Sequence, residues 1–194
     1  MSTNDKDWQT LYETGDTGWD LGKVSPPIKH YVDQLEDKTL RILIPGGGNS
    51  YEAEYLFKKG FTNVHVVEIA SAPLENLKAR LPDFPAPQLH HQDFFQADGP
   101  YDLILEQTFF CTLPPARRPE YVQKIHNLLK PNGKLVGLLF DFPLDDDGPP
   151  FGGDAESYRT LFTKTFSIQT MAPSYNSIEK RAGRELFINL RPAN

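Results

Sequence analysis

Chemistry is first suggested at Gly46, Gly47 and Gly48, three glycines that follow the apolar run Ile42-Leu43-Ile44 and Pro45. A β-prone run broken this way leaves bare main chain that no strand continues and that a ligand approaches closely. Glu68 follows Gly46 at about the separation at which an acidic residue ends the second strand of a nucleotide-binding fold and accepts ribose hydroxyls. It sits between Val67 and Ile69, where a charge is costly without a partner. Asp93 and Glu106-Gln107 end two later candidate strands, so polar groups from four consecutive strand ends converge. Stronger catalytic groups are harder to find. His90 and His91 precede Asp93 on a weak strand and read as a solvated edge, while His30 and His126 fall in helical patterns and read as surface. Cys111, after two phenylalanines, reads as core or pocket wall, and Asp145-Asp146-Asp147 as solvated loop carboxylates. No His or Cys cluster has metal-ligand spacing, and no residue is assigned as catalytic.

Elements must position these groups. Tyr51 to Phe57 reads as a helix opened by the glycines and ended by Lys58-Lys59-Gly60. Val64 to Ile69 is a β-branched strand, Ala72 to Leu81 a helix, Pro87 to His91 a weak strand and Tyr101 to Glu106 a fourth strand. The helix of Tyr121, Val122, Ile125, Leu128 and Leu129 is followed by a Pro131-Asn132-Gly133 turn that launches strand Lys134 to Phe140. Five rounds of strand and helix imply a parallel sheet. A last helix marked by Tyr158, Leu161 and Phe162 precedes Phe166 to Met171 and Glu185 to Leu190, an expected antiparallel pair. Leu144 to Asp154, acidic and rich in Pro and Gly, reads as a loop and lid at a strand's carboxyl end. Ahead of the first strand, Asp5 to Glu13 predicts a short helix, and Pro26-Pro27 open another carrying Ile28, Tyr31, Val32 and Leu35 on one face. Trp8 and Trp19 either pack an N-terminal lid onto the core or line a ligand site; the residues leave both readings open.

The 194 residues suit one domain: lid helices within residues 1–36 and a core over 37–194. A net charge of −6, with scattered Lys and Arg, opposes nucleic acid and acidic lipid surfaces. A single cysteine excludes an internal disulfide, and Met1 to Lys6 carries neither a basic start nor an apolar signal, so a reduced cytoplasmic protein is expected. The longest aliphatic run, Leu135 to Phe140, falls far short of the roughly 20 residues that span a bilayer.

After Gly46 and Gly48, the last glycine of G-x-G-x-x-G is replaced by Tyr51, so the close helix approach that a pyrophosphate needs is missing. S-adenosylmethionine, an adenosine with an amino-acid tail and no phosphate, fits better. The five-round alternation followed by an antiparallel pair resembles the class I S-adenosylmethionine-dependent methyltransferase fold. That fold is an α/β, three-layer, doubly wound, Rossmann-like sheet of five parallel strands with a C-terminal antiparallel strand pair. Thr17-Gly18-Trp19-Asp20-Leu21-Gly22 resembles the Trp-Asp-x-Gly signature of the thiopurine S-methyltransferase superfamily, in its thiol and halide methyltransferase branch. Ile44 to Gly48 resembles that family's Pro-Gly-Cys-Gly loop, Phe109 to Pro115 with Arg118 and Tyr121 its motif after strand four, and Gly148-Pro149-Pro150-Phe151 its late loop.

The resemblance implies S-adenosylmethionine as cofactor, S-adenosylhomocysteine as product, and in-line methyl transfer to a small soft nucleophile: a thiol, halide or chalcogen compound. By motif position, Trp19 with Trp8 or Tyr12 would cover the cofactor, and Gly46 and Gly48 would admit its methionine part. Glu68 would hold the ribose with Ile69 beside it, Asp93 would meet the adenine amino group with Phe94 packed alongside, and Gln107 would lie near the sulfonium and the acceptor. Phe110 and Phe151 would wall the acceptor. Gly47 replaces the family's cysteine and Asn49-Ser50 a more glycine-rich end; Gln107 replaces an arginine of the thiopurine enzymes, which argues against a thiopurine substrate. The expected partner is a small-molecule acceptor, with no nucleic acid, no membrane and a monomeric state. Two rival readings stand: an NAD-type oxidoreductase, and a catalytically silent module that binds S-adenosylmethionine.

Overall fold

The computed structural model describes residues 6–144 and 147–193. Its strands are β1 (Ile42–Pro45), β2 (Val64–Glu68), β3 (Leu89–His91), β4 (Tyr101–Gln107), β5 (Leu129–Phe140), β6 (Phe166–Pro173) and β7 (Glu185–Pro192). They form one sheet in the order β3-β2-β1-β4-β5-β7-β6. β1 to β5 pair in parallel, and β7 runs antiparallel to both β5 and β6. The chain steps outward from β1 to β3 and returns at β4, which makes the carboxyl ends of β1 and β4 the switch point where open α/β sheets hold ligands.

The helices are α1 (Trp8–Thr14), α2 (Pro26–Val32), α3 (Tyr51–Lys58), α4 (Ser71–Arg80), α5 (Arg118–Leu128) and α6 (Ala155–Phe162). Side chains alternate across a strand, and β1 shows the result: Ile42 and Ile44 pack into one core, Leu43 into the other. The first core takes Ile28 and Val32 of α2, Ala53 and Leu56 of α3, and Leu74 and Leu77 of α4. The second takes Tyr121, Val122, Ile125 and Leu128 of α5 with Tyr158 and Phe162 of α6. Helices thus cover both faces of the sheet, giving the three layers expected for the class I methyltransferase fold.

Local chemistry adjusts the expected boundaries. α1 begins at Trp8 because the Asp7 carboxylate accepts the Thr10 N–H at 3.1 Å; Asp5 lies outside the described residues. Pro131-Asn132-Gly133 is a correction: it does not launch β5 but lies inside it. Between the pairs Tyr101–Leu129 and Leu103–Lys134, β5 advances from 129 to 134 while β4 advances from 101 to 103, so the proline and its neighbours bulge out of the ladder. β3 is cut to three residues by a 3-10 turn at Ala86–Gln88. In the loop expected as a lid, Asp145 and Asp146 lie outside the described residues. Among those described, no helix is long and apolar enough to cross a membrane.

Candidate active site

A cavity of about 560 Å³ opens over the carboxyl ends of the five parallel strands. Ile44 and Gly46, Val67 and Glu68, Asp93, Gln107, and Phe140 reach it from β1, β2, β3, β4 and β5 in turn. Trp8, Tyr12, Trp19, Gly46, Gly48, Glu68, Ile69, Asp93, Phe94 and Gln107, spread over a hundred positions, line this one cavity.

Main chain shapes its first end. Gly46 and Gly48 take φ of +53° and +52°, a left-handed conformation costly for any other residue. A Cβ on Gly46 would collide with the Phe109 ring, and one on Gly48 with the Tyr12 hydroxyl. Gly47 has an ordinary φ, but its Cβ would strike Ser50 Oγ and the Val66 side chain, so the cysteine of the family loop has no room here. Glu68, 5% exposed, accepts the Gly48 N–H through Oε2 at 2.8 Å and the Ala70 N–H through Oε1 at 3.0 Å. Its carboxyl therefore ties the glycine bend to the start of α4. Burial pushes its pKa up and those N–H groups pull it down, burial prevailing. Ile69 stands 44% exposed at the lip. The Asp93 carboxylate accepts the Phe95 N–H at 2.9 Å. Phe94 is largely buried, with Phe109 and Phe95 ring centroids 5.0 and 5.2 Å away, and lines the cavity.

Glu52 was not singled out by sequence reasoning, yet it lines the cavity at 8% exposure and accepts the Ser25 N–H at 3.0 Å. Burial raises its pKa as well. The available signal was helical spacing, since Glu52 lies four residues before the buried Leu56, on the inward face of α3. Neither Glu52 nor Glu68 forms a salt bridge among the described residues, and Gln107 Oε1 is buried without a hydrogen-bond partner. Buried carboxyls with no salt bridge and an orphaned carbonyl suit a cationic, phosphate-free ligand such as S-adenosylmethionine better than a pyrophosphate.

Side chains shape the second end: Phe109, Cys111, Phe140, Phe142, Pro149 and Pro150, with Arg181 and Arg184 among them. Glu106 is fully buried and turned into the core. Its Oε1 accepts the Phe109 and Phe110 N–H groups, each at 2.8 Å, and its Oε2 accepts the Tyr121 hydroxyl at 2.6 Å. Burial pushes its pKa up to about 7. The turn that Glu106 holds presents Phe109 to the cavity and Phe110 to the core, which corrects the expectation for Phe110: it is 1% exposed and packs on Tyr121 and Tyr158. Phe151 is likewise not a cavity wall. Its N–H donates to Cys111 O at 2.7 Å, and Arg118 Nη2 donates to Gly152 O at 2.7 Å, so this loop turns Pro149 and Pro150 toward the cavity instead.

Cys111 is buried at the wall, as expected, and burial lifts its thiol to about 12, which keeps it protonated. His90 departs from the expected solvated edge: it is half-buried, stacked on His65 with 2.9 Å between ring nitrogens. His30 and His91 are exposed and His126 is half-buried beside Phe166.

The two tryptophans, expected either as lid packing or as a site lining, both lie at the cavity. Trp8 and Trp19 meet edge to face at 5.5 Å, the Trp19 indole N–H donates to the Tyr12 hydroxyl at 3.2 Å, and all three line the cavity. Gln9 Oε1 accepts Ser71 and Ala72 N–H groups at 2.9 and 3.2 Å, tying α1 to the first turn of α4.

Over residues 3–187 the chain matches the thiopurine S-methyltransferase (TPMT) family. Probable thiol methyltransferase 2 of Arabidopsis thaliana is 30% identical over 186 residues, covering 92% of this chain and 81% of that protein. Thiocyanate methyltransferase 1 of Brassica oleracea is 27% identical over 184 residues, with the same coverage of 92% and 81%. Among solved structures, the 1,6-didemethyltoxoflavin-N1-methyltransferase of Burkholderia thailandensis superposes with a TM-score of 0.76 at 17% identity, covering 95% of this chain and 85% of that one; at this identity the likeness speaks for the fold. The nicotinamide alternative, already weakened by Tyr51, is set aside. The chain belongs to the thiopurine S-methyltransferase family and is an S-adenosylmethionine-dependent methyltransferase.

Proposed function

We propose that the chain methylates a small soft nucleophile, a thiol, halide or chalcogen compound, by in-line displacement. One observation carries this reading: the second end of the cavity offers no side chain set to take a proton. Among the described residues none of the five histidines lines the cavity, Glu106 faces the core, and the Cys111 thiol is protonated. Five of the described acids line it: Asp16 is exposed in the N-terminal segment, away from the second end, and Asp20, Glu52, Glu68 and Asp93 each accept main-chain N–H groups. An acceptor that arrives with its own lone pair needs no base. The bound cofactor supplies an electrophilic methyl group on positively charged sulfur.

The residues of the chain then hold, orient and dry the reactants. In this reading Gly46 and Gly48 admit the methionine part, Glu68 holds the ribose with Ile69 beside it, Asp93 and Phe94 meet the adenine, and Gln107 faces the acceptor. Trp8, Tyr12 and Trp19 form the cover, within a lid over residues 1–36 on a core over 37–194. Around the cavity, Lys6 lies over Trp8, Arg117 over Phe95, Arg181 over Phe140 and Arg184 over Phe142. The chain's net charge is −6, and Arg117 and Arg181 are paired with Glu120 and Glu185, so these cations pack on the rings of the wall with their charge already met. The same net charge supports a small-molecule acceptor rather than nucleic acid, and a monomer accounts for a cavity built from one chain. Methyl release from labelled S-adenosylmethionine, measured across thiols, iodide, a thiopurine and selenium and tellurium oxyanions, tests the reading. Turnover is expected with thiols or iodide and weak with the thiopurine; cofactor binding with a silent panel would overturn it.

A further inference from the structure

Lys180 and Arg181 stand in the connection between β6 and β7, yet both donate to the N-terminal segment 162 residues earlier. Lys180 Nζ meets Gly18 O at 3.3 Å, and Arg181 Nη2 meets Trp19 O at 2.7 Å. Arg181 is 6% exposed and its Nη1 reaches Glu185 Oε1 at 3.3 Å; Glu185 is 3% exposed at the start of β7. The guanidinium also lies over the Phe140 ring at 5.5 Å. One arm of a planar fork is therefore fixed to the sheet and the other holds a lid carbonyl. Unlike α2, whose Ile28 and Val32 are buried in the core, the α1 end of the segment is lightly held. α1 has seven residues and buries none of them, and a helix that short is not stable alone. Its other ties include Gln9 at the start of α4, the hydrogen bond from Asn49 to Asp20 and that from Lys6 to Pro149 O.

We propose that Arg181, assisted by Lys180, is a positioning residue: by gripping the Trp19 carbonyl it holds the Trp8–Tyr12–Trp19 cover over the cavity and sets how long the cofactor is retained. This rests on the reading of those three aromatics as the cofactor's cover. Trp19 couples to Tyr12 through the indole N–H and to Trp8 through ring contact, so the cover shifts as a unit when the carbonyl is released.

Trp8 and Trp19 are the chain's only two tryptophans, so intrinsic fluorescence reports on the cover directly. The double variant Arg181→Gln/Glu185→Gln replaces the buried ion pair with two neutral amides and leaves no lone buried charge. In it, acrylamide quenching of the free protein is expected to rise about twofold and S-adenosylhomocysteine to dissociate about tenfold faster. Arg181→Lys, with Glu185 kept, is expected to recover part of both. Should the double variant fail to fold, Lys180→Ala, which removes only the exposed tie to Gly18, carries the test, with a smaller rise in both readouts expected. Unchanged quenching in a folded variant overturns the proposal, whatever the dissociation rate. Raised quenching with unchanged cofactor retention overturns the cover reading itself, while the latch stands as a purely structural tie.

Discussion

Under β1 and β2 the cavity is shaped by backbone: two glycines at positive φ, and a buried carboxylate whose oxygens each take a main-chain N–H. Beyond β4 and β5 it is shaped by side chains: Phe109, Phe140 and Phe142, a proline pair, and Arg181 and Arg184 laid over the Phe140 and Phe142 rings. A backbone-built end has one workable geometry, so it suits a ligand common to a whole family. An end built from side chains changes with each substitution, so it suits the part of the reaction that differs between members.

If that division is real, substitutions should separate cofactor from acceptor effects. The largest is expected for Glu68→Ala, which removes the tie between glycine bend and α4: cofactor affinity should fall about 100-fold by calorimetry, or about 2–3 kcal/mol. The far-ultraviolet dichroism should stay that of the folded chain and the acceptor KM should change little; equal losses at both ends would break the comparison. Next comes Phe142→Ala, expected to raise acceptor KM about tenfold with cofactor Kd nearly unchanged, the usual scale for a lost pocket contact. Gly48→Ala forces a Cβ into the left-handed region and against Tyr12. It should cost about 1–2 kcal/mol of stability, seen as a melting temperature lower by about 4 °C.

The last effect is in pH. Glu106 is raised from 4.5 to about 7, so the folded chain keeps a proton that the unfolded chain releases. Its contribution is full below pH 4.5 and is lost as pH rises through about 7. His65, lowered from 6.5 to about 4, acts in the opposite sense, its contribution being lost as pH falls through that window. Glu106→Gln leaves His65 untouched, so the difference between wild type and variant in urea unfolding isolates Glu106. Relative to the variant, wild type should lose stability from pH 5 to 7.

The same division explains what could be read in the chain. Glycines at a strand-to-helix corner and an acid at the next strand end are local features whose spacing follows strand and helix length, so Gly46, Gly48 and Glu68 were legible. Phe109 and Phe110 are neighbours of the same type; which one faces the cavity depends on a turn held by Glu106 from the preceding strand. Nothing in the order of the two phenylalanines reveals that. Glu52 was hidden for a related reason: a glutamate in a helix ordinarily faces water, and only the approach of Ser25 from α2's N-terminus encloses it. The grip of Arg181 on Trp19 links residues 162 apart, a separation at which local pattern carries no signal.

The central claim is that the cavity moves a methyl group to a nucleophile that needs no base. Its most direct measurement is a single-turnover rate of label transfer from S-adenosylmethionine to the best acceptor, followed from about pH 6 to 9 across the histidine and thiol range. Once the acceptor's own ionisation is divided out, the rate should be flat. A residual bell-shaped or sloping profile, or no transfer to any thiol or halide, would contradict the account.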